Sequence, residues 1–274
     1  VTCAPQFRAC FSALLMLTAI LGIAVSHAQA QPEIVAAQMS RGFERTAPAT
    51  VLISEMTRQP DLWMMEVQYK PVRLVWIEVP NATGEGTTRE QVWYLVWRAA
   101  VRPLATPDEK DLLAVNELDP LPGPRQFVPQ LTLVTYDDPK TEIPVQILKD
   151  EILPGALAQI RQIERNQYKD MVSVVQNVPE AQPADAEDQN WIYGVTTWRG
   201  VDAKTDFFKV IFAGFTNGYE VRKEVADTPQ VWRKVFTQRF YRPGDQFDPL
   251  NREFQYSGQP EWSFQPDVSQ PAAE

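Results

Sequence analysis

Beyond residue 30 the chain has no cysteine and no histidine. Cys3, Cys10 and His27, the only members of either type, all fall in its first thirty residues. If that segment is removed, as its layout predicts, the remaining protein has no disulfide, no thiol nucleophile, no zinc site built from Cys or His, and no triad with imidazole as base. Positive charge is also scarce, with 26 Lys and Arg against 35 Asp and Glu for a net charge of −9. That balance disfavours nucleic acid as a partner. A nucleophile elbow, a phosphate-binding loop and a lysine–serine motif are all missing.

The N-terminal layout is informative in itself. One positive charge, Arg8, precedes an apolar run from Cys10 to Val25, and Ala28-Gln29-Ala30 follows as a small-x-small cleavage site. These are the three parts of a secretory signal peptide. The run is shorter than the roughly 20 residues of a bilayer span. Residues 1–30 are therefore expected to be cleaved after Ala30 and the protein exported to the periplasm or extracellular space, with no membrane span afterwards. Retention as an uncleaved anchor is the alternative. Cleavage leaves 244 residues at net charge −10, because Arg8 is the only charge lost.

Those 244 residues can bury a sizeable core without staples. With 23 prolines and 8 tryptophans in the sequence, they read as strands and loops rather than a helical bundle. Residues 31–61 are expected to be poorly ordered, 62–265 to form a single β-rich domain, and 266–274 to be a disordered tail. "LWMMEVQYKPVRLVWIEVP" reads as extended chain broken at Pro71. It pairs across "NATGEGTT" with "QVWYLVWRAAV" as a hairpin; Asn81-Ala82-Thr83 in that loop matches a glycosylation acceptor. Asn217-Gly218 is the strongest short hairpin signal. One amphipathic helix is expected near 151–166, with Leu153, Leu157 and Ile160 in its apolar stripe, Asp150 as N-cap and Asn166 as terminator. It should pack over a sheet edge or end. The expected fold class is mainly β: an antiparallel β-sandwich, immunoglobulin-like in general architecture, without a disulfide and with one inserted amphipathic helix.

Four stretches together, "VWYLVWR", "ILPGALAQIRQIERN", "WIYGVTTWRGVDAKTDFFKVIFAGFTNGYEV" and "WRKVFTQRFYRPGDQFD", resemble a family of uncharacterised secreted proteins from planctomycete-type bacteria. The resemblance covers residues 62–265. It implies a secreted bacterial protein with one β-rich unit and brings no activity, cofactor or site residue with it.

Four kinds of chemistry can be weighed on the residues. Trp93 and Trp97 share one strand face, but Val92, Tyr94 and Val96 make the other face apolar too. A strand apolar on both sides is buried, so this pair is expected in the core rather than on a ligand platform. Trp63 and Trp262 are the tryptophans expected to be exposed and open to a sugar ring. Six basic residues, Arg222, Lys223, Arg233, Lys234, Arg239 and Arg242, stand close together. They are a surface for an anionic partner, or else they pair with the acidic stretches 108–119 and 180–188 or simply form a solvated strand face. Asp185, Glu187, Asp188 and Asn190, with Asp202 and Asp206, are oxygen donors suited to calcium, but they lack the spacing that folds a loop around the ion. Paired carboxylates could hydrolyse a glycoside without histidine, and among 35 acids some pair meets any spacing. No catalytic, cofactor-binding or metal residue is therefore assigned. The expectation is a secreted, non-catalytic module that meets a protein or glycan partner in the cell envelope, or packs structurally there. Carbohydrate binding through exposed aromatics is the alternative, and a carboxylate-dependent glycoside hydrolase the third.

Overall fold

The computed structural model describes residues 42–80, 86–114, 124–223, 229–244 and 253–266. The signal segment with Cys3, Cys10 and His27, the acceptor at Asn81–Thr83 and the tail beyond 266 lie outside the described residues.

The protein is mainly β; the described residues form two large antiparallel sheets and a third of two short strands, with no closed barrel. The spine of the first sheet is β4 (Thr87–Val101), a run of β-branched and aromatic residues that suits a pleated, buried surface. Along one edge of β4 lie β2 (Met65–Tyr69) and β3 (Arg73–Pro80), end to end, with Tyr69 opposite Trp97 and Arg73 opposite Tyr94. Pro71 falls in the break between them, where a proline has no N–H to give a ladder. On the other edge lies β9 (Ile192–Arg199), with Trp198 opposite Trp93 and Gly194 opposite Trp97. A short β1 (Arg45–Ala47) adds to β2. Together with α1 (Ile53–Arg58) it lies inside the stretch 31–61 for which poor order is expected. Backbone bonds from Val195 to Lys169, from Lys169 to Tyr193 and from Glu151 to Thr197 occupy the outer edge of β9. That edge is thus not left open to another chain.

The spine of the second sheet is β12 (Pro229–Tyr241). It carries β10 (Phe207–Ala213) and β11 (Tyr219–Lys223) on one edge and β13 (Gln255–Pro266) on the other. Beyond β10 come β6 (Gln130–Tyr136) and β7 (Gln146–Lys149). A two-residue ladder joins β5 (Gln126–Phe127) to β8 (Gln176–Asn177). Although Asn217-Gly218 reads as a hairpin turn, β10 and β11 do not pair with each other; both pair with β12. The Asn217 side chain is spent elsewhere, accepting from the Trp63 backbone at 2.8 Å and donating to the Asp61 carbonyl at 3.0 Å. The connection between the two strands becomes a jog that ties the second sheet to the chain entering β2.

The two sheets share one core. Trp93 meets Phe208 at 5.1 Å between ring centres, Tyr69 meets Phe212 at 5.3 Å, and Trp97 meets Phe215 at 5.1 Å. Burial in β10 alternates, with Phe208, Val210 and Phe212 inside and the residues between them half-buried, as a period of two requires. The helix, α2 (Pro154–Glu164), lies on the opposite face of the first sheet rather than over an edge. Its Ala156 and Ile160 pack with Val75, Ile77, Val92, Tyr94, Val96 and Val195. The helix begins at Pro154, with Leu153 rather than Asp150 as its cap, and ends on Arg165 in the left-handed conformation (φ 54°). Proline suits a first helical position because its missing N–H would have no intrahelical partner there. β4 is therefore covered on both sides, by the second sheet and by α2, which accounts for its two apolar faces.

Candidate functional site

The tryptophans separate cleanly. Trp93, Trp97 and Trp198 are 1 %, 0 % and 0 % exposed and belong to the core between the sheets. The Trp97 indole donates to Thr196 Oγ1 at 3.3 Å. Those of Trp93 and Trp198 have no acceptor among the described residues, at a cost of about 1–3 kcal/mol each that the surrounding ring contacts must offset. Trp63, expected to be open, is 5 % exposed. Its backbone is held from both sides, by Asn217 Oδ1 and by the Thr216 hydroxyl, which donates to the Trp63 carbonyl at 2.7 Å. That stitching turns the ring inward. Trp262 is half-buried, packs on Phe236 at 4.9 Å, and donates its indole N–H to the Pro48 carbonyl. The most open of the eight is Trp76, whose ring is covered by Arg89 at 5.0 Å.

The basic cluster does not make one surface, because neighbours along β12 point to opposite faces. Lys234 is buried on the inner side, bonded to both oxygens of Glu55 at 2.7–2.8 Å. Arg239 is on the outer side, held by Glu142 and Glu261. Arg242 is buried against the carbonyls of Thr205 and Ala203, with Asp206 3.8 Å away. Arg222 pairs with Glu220 and stacks on Trp232 at 3.9 Å. Arg233 is exposed, and the Lys223 side chain lies outside what is described. The acidic partners described for Lys234, Arg239, Arg242 and Arg222 are thus single residues from scattered elements, none of them in the stretches 108–119 or 180–188. Among the described residues, no three His, Cys, Asp or Glu side chains gather as a metal site, Asp185, Glu187, Asp188, Asp202 and Asp206 included.

Glu142 carries a pH signature. Partial burial works to raise its pKa, but the bonds from Lys209 and Arg239 outweigh this and hold the carboxyl below its usual value. A depressed folded-state pKa gives stability that is complete above the unfolded value of about 4.3 and is lost as the pH falls through the folded one. Glu142→Gln should lower the melting temperature at pH 7, and the gap should close as the pH falls through the depressed folded-state value of the wild-type carboxyl. A gap between wild type and variant that stays constant over that range would show that Glu142 is not held charged by these partners.

The densest titratable group was not foreseen from the sequence. Glu164, in the last turn of α2, is fully buried; its carboxylate takes Lys70 Nζ at 2.7 Å, Arg73 Nη1 at 2.7 Å and the Tyr94 hydroxyl at 2.9 Å. Arg73 also reaches Glu253 at 3.4 Å. A carboxylate at a helix C-terminus opposes the macrodipole, and two cations from the edge where β2 gives way to β3 reverse that penalty. Burial pulls the Arg73 pKa down, and Glu164 with Glu253 more than restores it. Burial, reinforced by the Glu164 charge, pushes the Tyr94 hydroxyl well above the usual tyrosine range. One signal was available: Ala156, Ile160 and Glu164 are spaced by four, which puts an acid on the helix's apolar face.

Three recesses can be described, and Lys70, Arg73, Tyr94 and Glu164 line none of these three. The largest, about 460 Å³, runs between α1 and the segment after β4, and Met56, Pro60, Leu62, Leu104, Leu112 and Leu113 dominate its lining. Two of its polar members are already engaged: Thr57 donates to the Ser54 carbonyl, and the Gln59 amide exchanges two bonds with the Tyr219 backbone. A second, about 440 Å³, lies around Arg161 and Arg165 at the end of α2. The third, about 240 Å³, lies between α1 and the end of the second sheet, lined by Leu52, Ser54, Glu55, Arg58, Tyr219, Glu220 and Phe264.

No protein-family model, no curated protein and no solved structure matches the chain. The class it can be given is the one its fold defines: a mainly β protein of two antiparallel sheets with one helix on an outer face. Among the described residues no helix is long and apolar enough to cross a membrane.

Proposed function

We propose that the chain is an exported, non-catalytic β-sandwich, immunoglobulin-like in general layout, that works by binding or packing in the periplasm or cell envelope. Its place among secreted proteins of planctomycete-type bacteria is part of the same proposal. The observation that supports it is the closure of the Glu164 cluster. This is the constellation best equipped for acid–base work, and its carboxylate, on a side chain with no exposed surface, is surrounded by Lys70, Arg73 and Tyr94, so it acts as a clasp between helix and sheet. The test is to incubate the purified full chain with a panel of glycoside, ester and peptide substrates, and separately to fuse residues 1–30 to an export reporter. No turnover above the protein-free rate and an exported reporter are the expected results; reproducible turnover sinks the non-catalytic reading, and a retained reporter sinks export.

Carbohydrate binding remains the second reading, and one observation favours it: the third recess sets the rings of Tyr219 and Phe264 beside charged side chains. Neither tryptophan that the sequence offered for this role lines it.

A further inference from the structure

We propose that the recess between α1 and the end of the second sheet is a subsite for one ring of an acidic polysaccharide, a uronate unit whose carboxylate pairs with Arg58. The inference rests on the carbohydrate-binding reading above and names the ligand class that this reading leaves open.

The walls come from three elements. Tyr219 opens β11 and Phe264 lies in β13, on opposite edges of β12, opposite Arg233 and Lys234. Both rings are half-buried, so each keeps some open surface. The facing wall is the first turns of α1, with Leu52 and Ser54, and its last turn, with Arg58. Aromatic rings offer apolar area at low entropic cost, and the C–H face of a sugar ring is suited to them.

The charges decide which sugar. Glu55 is already engaged, bonded to Lys234 and to the Leu52 backbone N–H. Glu220 pairs with Arg222. Arg58 is exposed and has neither an ion pair nor a hydrogen bond among the described residues. Of the charged residues lining the recess, Glu55 and Glu220 are answered by Lys234 and Arg222, which leaves Arg58 as its one uncompensated charge, in a chain of net charge −9. A neutral sugar would leave that guanidinium unused. A carboxylate matches its planar fork with two parallel bonds. At about 240 Å³ the recess is smaller than the roughly 300–1,000 Å³ of pockets that enclose a drug-sized ligand. It suits a single ring, with the rest of the polymer running outside.

The test uses the full chain and defined oligogalacturonates, with cello-oligosaccharides as the neutral control and inorganic phosphate as the bare anion. Titration calorimetry should show binding to the uronate, weakening with added salt, and none to the neutral sugar. Arg58→Gln, on an exposed helix position, should lower affinity about tenfold or more, the scale of one lost charge-assisted pair. Phe264→Leu, which keeps apolar bulk, should lower it with the fold intact by circular dichroism. Absence of uronate binding, equal affinity in Arg58→Gln, or equally tight binding of phosphate each overturns the subsite. Shortened oligosaccharides in the same incubation would sink the non-catalytic reading while leaving the subsite standing, so the two failures are told apart.

Discussion

Glu164→Gln is expected to destabilise the protein by about 3–5 kcal/mol, the scale for removing one member of a buried ion cluster. The substitution keeps the shape of the side chain and deletes only its charge. Lys70 and Arg73 would then stand buried with their main counter-charge gone, and Tyr94 would lose a charged acceptor. Desolvation of the two cations is paid in full while its compensation disappears. Urea denaturation followed by tryptophan fluorescence would measure it as a fall in midpoint at unchanged slope. Replacing Lys70, Arg73 and Glu164 together by apolar residues of similar size should cost much less than the single change, because no charge is left uncompensated. A loss below about 1 kcal/mol for Glu164→Gln would mean that water reaches the cluster, and the closed clasp would have to be abandoned.

Gly194→Ala should cost about 3 kcal/mol, the upper end of the range for overpacking a core. A Cβ at Gly194 would sit 2.1 Å from Cζ2 of Trp97 and 2.4 Å from Cε2. The indole cannot step aside easily, since Phe215 and Phe127 meet it edge-on at 5.1 and 6.0 Å. β9 has no Cβ opposite Trp97 because the ring lies in its place. Trp97→Leu alone should destabilise through the cavity it leaves, and Gly194→Ala added to it should cost nothing more or return part of the loss. Such strong non-additivity is expected of two residues competing for one volume. Simple addition of the two penalties, or a Gly194→Ala variant within about 0.5 kcal/mol of wild type, would show that the ring has somewhere to go.

Much of the fold can be read from the order of the residues. The two apolar faces of "QVWYLVWRAAV" foretell a strand buried on both sides, and β4 with Trp93 and Trp97 is that strand. The break at Pro71, the hairpin of β3 with β4 and the helix near 151–166 follow from proline chemistry, turn composition and a period of 3.6. Each is a local signal, decided by residues within a turn or two. Asn217-Gly218 shows where local signals stop. The dipeptide permits a tight turn, but the Asn217 side chain finds Asp61 and Trp63 more than 150 positions away in sequence, and the strands on either side pair with β12 instead.

The candidate sites follow the same division. What composition determined is what the chain past residue 30 cannot do: without cysteine or histidine it has no thiol or imidazole chemistry. Where the charges go was decided only in three dimensions. Arg233, Lys234 and Arg239, close together in sequence, were divided between two faces of β12 because a strand reverses its side chains at every step. Lys70, Arg73, Tyr94 and Glu164, from three strand regions and a helix, were brought onto one carboxylate because α2 docks on the first sheet. Arg58 was left facing Tyr219 and Phe264 because α1 lies against the end of the second. Patterns of period two and 3.6 specify which side of an element is apolar; which element it meets depends on long-range pairing, and ion clusters and recesses form only where such elements meet.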